Sequence, residues 1–273
     1  DAVMAWSPLH PRGARPFPQA NAPTAVVGRR TRGGGCYCGA EPMRLRAAIK
    51  DWRRRRLLAR AGIGIELDGE RFAAGARSGV WVVDPRSLGR DSVVYSVGVG
   101  DNIAWDLAMI ARFSCTVHAF DPTPRSVAWL ARQQLPPQFV HRPLAVAAHD
   151  GELAFGAPRG PRDVNFHPTE TATAPAFRAA AARLCTLARA AGHAAIDVLK
   201  LDIEGGEYEV LADLLANGPP VRQLLVEFHH GERGIAFERT AAAIASLRRA
   251  GYAILDVSRR GLEFTFVRRA ATA

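Results

Sequence analysis

From residue 91 onward, short apolar runs alternate with amphipathic stretches. Val93–Val97 is a buried-type run of strand length, and Asn102–Arg112 carries Ile103, Leu107 and Ile110 at helical spacing. Thr116–Phe120 and Phe139–Ala145 read as the second and third strands. Between them Thr123–Gln133 reads as a helix, with Pro124 in the first turn, where its missing N–H costs nothing. Residues 156–175, rich in Gly, Pro and Thr, read as a long loop, and Ala176–Ala191 as largely helical with a break around Cys185-Thr186. Ile196–Leu201 is a fourth strand, Gly206–Ala216 a helix and Gln223–Phe228 a fifth strand. The helix Phe237–Ala250 is stopped by Gly251, and Tyr252–Val257 and Leu262–Val267 make a closing hairpin across Arg259-Arg260-Gly261. Such alternation predicts an α/β fold, a parallel sheet with helices on both faces, to which the hairpin adds an antiparallel strand.

Upstream the pattern weakens. Ile63–Leu67 alternates and, through Asp68-Gly69, predicts a short hairpin into Arg71-Phe72-Ala73; Gly79–Val83 is a further strand. Met43–Arg60 reads as a basic helix in which Leu45, Ile49, Trp52 and Leu57 share a stripe and Arg53–Arg56 are solvated. A surface helix packed on the domain is the expected role, with a phosphate or lipid-headgroup contact as the alternative. Residues 1–42 hold six Pro and six Gly and no sustained apolar period, as in a flexible arm. The expected organisation is therefore an arm (1–42), a basic helix with short strands (43–90) and a core domain (91–273).

Composition sharpens this reading. At 273 residues and 48% apolar the chain can bury a large core without disulfides or metals. Cys36, Cys38, Cys115 and Cys185 form no disulfide scaffold, and Cys36-Tyr37-Cys38 lacks the partners of a metal site. No run approaches the roughly 18 apolar residues of a membrane span, so a soluble chain is expected. The chain opens on Asp1 and is read as a fragment or processed product. A removed signal or anchor stays open, as do the compartment, with the cytoplasm favoured, and the oligomeric state. The net charge of +10 invites a nucleic-acid reading, yet residues 1–60 carry 13 basic and 3 acidic residues and the remainder 23 of each. Any nucleic-acid contact is thus confined to residues 1–60. Only two lysines occur, Lys50 and Lys200, against 34 arginines.

Four clusters could carry chemistry. Gly98-Val99-Gly100-Asp101-Asn102 ends the first strand and opens a helix, as in turns that let a ligand approach the backbone; the third glycine of the dinucleotide fingerprint would fall at Ile103. Asp121 ends the second strand about 20 residues later, where an acid can accept hydrogen bonds from a ribose diol. Around the fourth strand, Lys200 and Asp202 share a face, with Glu204 and Glu207 in the following turn and helix. Such acids can hold an ammonium group, a cation or a hydroxyl, while an acid at a helix start can equally serve the dipole. Glu227 and His229 end the fifth strand in the same predicted crevice, where an imidazole can act as a base.

The run Asp197-Val198-Leu199-Lys200-Leu201-Asp202-Ile203-Glu204-Gly205-Gly206-Glu207, followed by Leu224-Leu225-Val226-Glu227-Phe228-His229, resembles the FkbM-type methyltransferases. The resemblance spans roughly residues 79–268 and includes Phe120-Asp121-Pro122 and Asp150-Gly151. Ser96 stands where that family commonly has Asp, and Gly100-Asp101-Asn102 replaces its usual Asn-x-Gly. The resemblance implies a Rossmann-like class I methyltransferase: a seven-stranded, mostly parallel sheet with a C-terminal antiparallel hairpin. It implies S-adenosylmethionine as cofactor and methylation of a hydroxyl on a small molecule or sugar. Gly98, Gly100, Asp101, Asn102, Asp121 and Asp202 would border the cofactor. Lys200, Asp202, Glu204 and His229 would serve catalysis and Glu227 would orient the acceptor, with no metal expected. An NAD(P)-dependent oxidoreductase and a non-catalytic, methyltransferase-like binding protein with a basic arm are the alternatives.

Overall fold

The computed structural model describes residues 41–76, 79–158, 165–169, 175–232 and 234–269, with side chains from residue 47. Apart from Glu41 and Pro42, the expected arm lies outside the described residues, as do 159–164 and 170–174 of the expected loop and the side chain of Leu45. The chain divides into Asp1–Ile49 and Lys50–Ala273. In order, the elements are α1 (Glu41–Arg60), β1 (Phe72–Ala76), β2 (Gly79–Val83), β3 (Val93–Val97), α2 (Ala104–Phe113), β4 (Thr116–Phe120), α3 (Pro124–Leu130), β5 (Phe139–Arg142), β6 (Ala145–Val146), β7 (Gly151–Gly156), β8 (His167–Pro168), β9 (Phe177–Ala182), α4 (Leu184–Ala191), β10 (Ile196–Leu201), α5 (Glu207–Asn217), β11 (Val221–Glu227), α6 (Phe237–Arg249), β12 (Tyr252–Val257) and β13 (Glu263–Arg268). No described helix is long and apolar enough to cross a membrane.

Seven strands form the main sheet in the order β12-β13-β11-β10-β3-β4-β5. The sheet is mixed rather than mostly parallel: the four ladders joining β11, β10, β3, β4 and β5 are parallel, and β13 runs antiparallel to both β11 and β12. The closing hairpin therefore contributes two antiparallel ladders, because β13 inserts between β12 and β11. Side chains alternate between two cores. Val94, Val117, Val198 and Leu225 join Trp81, Trp105 and Met109 on one face; Tyr95, Phe120, Leu199 and Leu224 join Leu211, Ile244 and Leu247 on the other. Burial on both faces is why these strands read as continuous apolar runs. From β3 the chain winds out through β4 and β5, then returns to the other side of β3 as β10. The strand ends of β3 and β10 thus border a crevice at the topological switch point.

Several local expectations are corrected. Ile63–Leu67 forms no strand; the N–H groups of Glu66 and Leu67 both turn to the Ile254 carbonyl, at 2.7 and 3.0 Å. The hairpin is instead β1 with β2, in register from Phe72↔Val83 to Ala76↔Gly79. The first half of Ala176–Ala191 is strand β9, which pairs with β7 and β6 in a second, four-stranded sheet completed by β8. The third strand stops at Arg142, and Ala145 belongs to that second sheet. The stripe on α1 is reversed: Ile49, Trp52 and Leu57 are exposed, whereas Arg54 and Leu58 are buried. Arg54 is drawn inward by Glu232 at 2.8 Å, and Leu58 packs with Ile63 in the second core. Arg56 lies over the exposed Trp52 ring.

Candidate functional site

A cavity of about 240 Å³ opens at the switch point. Gly98, Gly100, Asp101, Asn102 and Asp121 line one side of it, and Lys200, Asp202, Glu204 and Glu227 the other. All nine are sequence-predicted site residues. The tenth, His229, does not line it; it is buried behind Asp202 and Glu204.

The glycine turn is shaped by close approach of two strands. Gly98 has φ +79°, and a Cβ there would fall 1.7 Å from the Asp202 carbonyl oxygen, so only glycine permits the packing. Asp121 fixes the turn from below. Its Oδ2 accepts hydrogen bonds from the N–H of Val99 (3.0 Å) and Gly100 (2.8 Å) and from the Ser126 hydroxyl (2.9 Å). Its Oδ1 accepts from the N–H (2.9 Å) and hydroxyl (2.6 Å) of Thr123. The carboxylate is therefore fully engaged as a scaffold, and the hydroxyls of Thr123 and Ser126 are its exchangeable partners beside the cavity. Asp101 pairs with Arg125 at 2.6 Å. Asn102 donates to the Ala76 carbonyl at 3.1 Å and accepts from the N–H of Ala104 at 3.2 Å, joining β1 to the start of α2.

The opposite wall is acidic. Lys200 donates to the Gly98 carbonyl at 3.2 Å and lies 5.2 Å from the Trp81 ring centroid, so its charge is held against the glycine turn. Burial pushes the Asp202 carboxyl up, as do Glu207 and Glu263, against the pull of Lys200 and His229. Glu204 occupies left-handed backbone at φ +56°, a rare conformation for a non-glycine residue, and is hydrogen-bonded by the Asn165 side-chain amide. Burial, reinforced by Asp202 and Glu263, pushes Glu227 up to about 8 despite Arg260 at 3.2 Å. This is a carboxyl that exchanges its proton near neutral pH. Burial opposes charge on His229, but Glu207, Asp202 and Glu204 outweigh it and hold the imidazole up to about 10. Alone with these carboxylates it is an imidazolium rather than a base.

Sequence reasoning missed three contributors and read a fourth, Glu207, as either a cluster acid or a helix-dipole partner. Glu207, wholly buried at the start of α5, accepts from the N–H of Ile203 (2.8 Å) and Gly205 (3.0 Å) and faces Nδ1 of His229 at 3.0 Å. Thr123 and Ser126 were legible only as the start of the helix that follows Asp121. Trp105 lines the cavity with a buried indole N–H that has no hydrogen-bond partner, and nothing in its helical spacing signals that.

An α/β protein with its cavity at the carboxyl ends of parallel strands belongs to the class that binds ligands there. Residues 91–254 match the family described as the Methyltransferase FkbM domain. The chain is a member of that family, and so of a methyltransferase family. The probable methyltransferase-like protein 24 of Rattus norvegicus and that of Homo sapiens are each 31% identical over 139 residues, half of this chain. The match spans about a third, 32%, of the length of those relatives. Among solved structures, a variant of the 16S rRNA (adenine(1408)-N(1))-methyltransferase from Catenulisporales acidiphilia is similar at 15% identity and a TM-score of 0.35, over 74% of this chain and all of the other.

Proposed function

We propose that the protein is an S-adenosylmethionine-dependent methyltransferase acting on a hydroxyl of a small molecule or sugar. The observation that carries this reading is one cavity with two unlike walls, a glycine turn on one side and three carboxyl groups on the other. The residues fit the cofactor: the bare Gly98–Gly100 backbone admits close approach, and the orphaned Trp105 N–H offers a donor. Asp101 and Asn102 would border the methionine portion, and Asp202 would stand near its ammonium and the transferring methyl. Asp121, through Thr123 and Ser126, would hold the ribose. When bound, S-adenosylmethionine supplies an electrophilic methyl on a sulfonium.

The chain's own task is then alignment. Positioning can contribute about 7–11 kcal/mol, against about 3–5 kcal/mol for a general base worth 10²–10⁴-fold. Lys200 holds the glycine turn in place, and Glu204 and Glu227 orient the acceptor. Glu227, titrating near 8, is suited to receive the hydroxyl proton. His229 sets the carboxylates from behind.

Calorimetric titration with S-adenosylhomocysteine tests the reading. The expected result is saturable binding by the intact chain. No binding, while a known methyltransferase binds in parallel, refutes it. Glu227→Gln is expected to leave that binding intact and slow single turnover by about 10²-fold or more. Binding without turnover on any hydroxylated acceptor would instead favour the non-catalytic alternative.

A further inference from the structure

The second half of α1 has two unlike faces. Arg54 and Leu58, one turn apart, are buried: Arg54 pairs with Glu232 at 2.8 Å, and Leu58 joins the core that contains Ile63. On the other side Trp52, Arg53, Arg56, Leu57 and Arg60 are neighbours at i,i+3 and i,i+4 spacing, and all are exposed. Trp52 is 51% and Leu57 41% exposed, and the Arg56 guanidinium lies 5.2 Å from the Trp52 ring centroid. Arg55 is exposed as well. The turn Arg259-Arg260-Gly261 packs against the same helix, since a Cβ at Gly261 would come within 3.1 Å of Leu58 and 3.7 Å of Arg55. That turn carries the exposed Arg259.

A helix face that meets only water carries both signs in i,i+4 pairs. Here residues 52–60 contain no acid, and among the described residues no carboxylate pairs with Arg53, Arg55, Arg56, Arg60 or Arg259. Unneutralised arginines interleaved with an exposed indole and an exposed leucine match a partner that is anionic and apolar at the same place. We propose that this face of α1 docks on an anionic lipid bilayer, with guanidinium groups on lipid phosphates and Trp52 and Leu57 at the boundary of headgroups and acyl chains. Guanidinium matches phosphate oxygens bidentately, and an indole has the apolar body and polar tip that suit this boundary. A nucleic acid would match the charge but not Leu57, which offers neither a stacking face nor a hydrogen-bonding group. Residues 1–40 of the chain match neither need, because they carry five arginines and one acid. A second copy docked face to face would set arginine against arginine. The helix lies on the bilayer and does not cross it.

The test is cosedimentation of the full chain with phosphatidylcholine vesicles, with and without roughly 30% phosphatidylserine, in about 0.1 M salt. Binding is expected only with the anionic vesicles, and it should fall as salt is raised. Arg53→Gln, Arg56→Gln and Arg60→Gln should each weaken it about fivefold, and the triple variant about 100-fold. The part of the tryptophan emission that Trp52→Phe removes should shift to shorter wavelength on the vesicles. Circular dichroism checks that the variants are folded, and the Trp52 emission decides the question if the triple variant is not. No binding to anionic vesicles overturns the proposal, as does a Trp52 emission that does not shift. Full binding by the folded triple variant also overturns it, and assigns the contact to basic residues before position 41. Retention by a single-stranded oligonucleotide but not by vesicles overturns it in favour of nucleic acid. A dimer in sedimentation velocity that Leu57→Asp dissociates, without vesicle binding, overturns it in favour of a second copy.

Discussion

Asp121→Asn separates a scaffold acid from an acid that only awaits a ligand. The substitution keeps the shape but turns one oxygen into an NH2 group. The lower-cost orientation leaves the remaining oxygen facing Val99, Gly100 and Ser126, and points the NH2 at Thr123. The Thr123 hydroxyl can rotate to accept, but its N–H cannot, and an orphaned buried donor costs about 1–3 kcal/mol. The three surviving bonds lose the charge assistance that roughly doubles their strength, about 0.5 kcal/mol each. The sum is roughly 3 kcal/mol, a large part of a domain's 5–15 kcal/mol. Urea denaturation of the cofactor-free protein measures it directly. A carboxylate held only for a ribose would give near-native stability and lost cofactor binding. Destabilisation under about 1 kcal/mol would therefore refute the scaffold role.

Gly98→Ala and Gly100→Ala should differ although both residues have positive φ. A Cβ at Gly100 meets nothing within 4 Å, so it costs only about 1–2 kcal/mol of left-handed strain, whereas at Gly98 it must also part β3 from β10. Urea midpoints should fall much further for Gly98→Ala, and equal shifts would contradict the close-approach argument. Stability should also decline in acid through His118, whose imidazole burial and the neighbouring His193 and Arg142 push down to about 4. The folded chain resists a proton that the unfolded chain accepts near 6.5, so this contribution is complete above pH 6.5 and is lost between 6.5 and about 4. The loss is at most roughly 3 kcal/mol. His118→Phe should flatten that part of a pH series of urea midpoints, and an unchanged slope would remove His118 as its source.

The central strands were legible because burial on both faces writes itself as an unbroken apolar run, as at Val93–Val97 and Ile196–Leu201. Ala179–Ala182 misled for the opposite reason. Alanine favours helix in isolation, but pairing with Leu153 and its neighbours on β7 overrides a propensity of tenths of a kcal/mol per residue. On α1, hydrophobicity alone put Trp52 inward; an ion pair to Glu232, 178 residues away, turned Arg54 inward instead. The site divided in the same way. Acids at strand ends could be located from spacing. Which of them have their oxygens already engaged depends on contacts between segments far apart in sequence, such as Val99 with Asp121 or Glu207 with His229.

That division bears on the acceptor. Asp121 and Glu207 are committed to backbone N–H groups, and Lys200 is drawn to the Gly98 carbonyl. On the acidic wall, the carboxyl groups that line the cavity are those of Asp202, of Glu204, hydrogen-bonded by Asn165, and of Glu227, paired with Arg260. With Glu227 held up to about 8, and so largely protonated at neutral pH, this wall offers both a donor and acceptors. A neutral polyol would find partners of both kinds for its hydroxyls there. What the cavity accepts is therefore set by these carboxyl groups, their protonation and their partners rather than by the chain's net charge of +10.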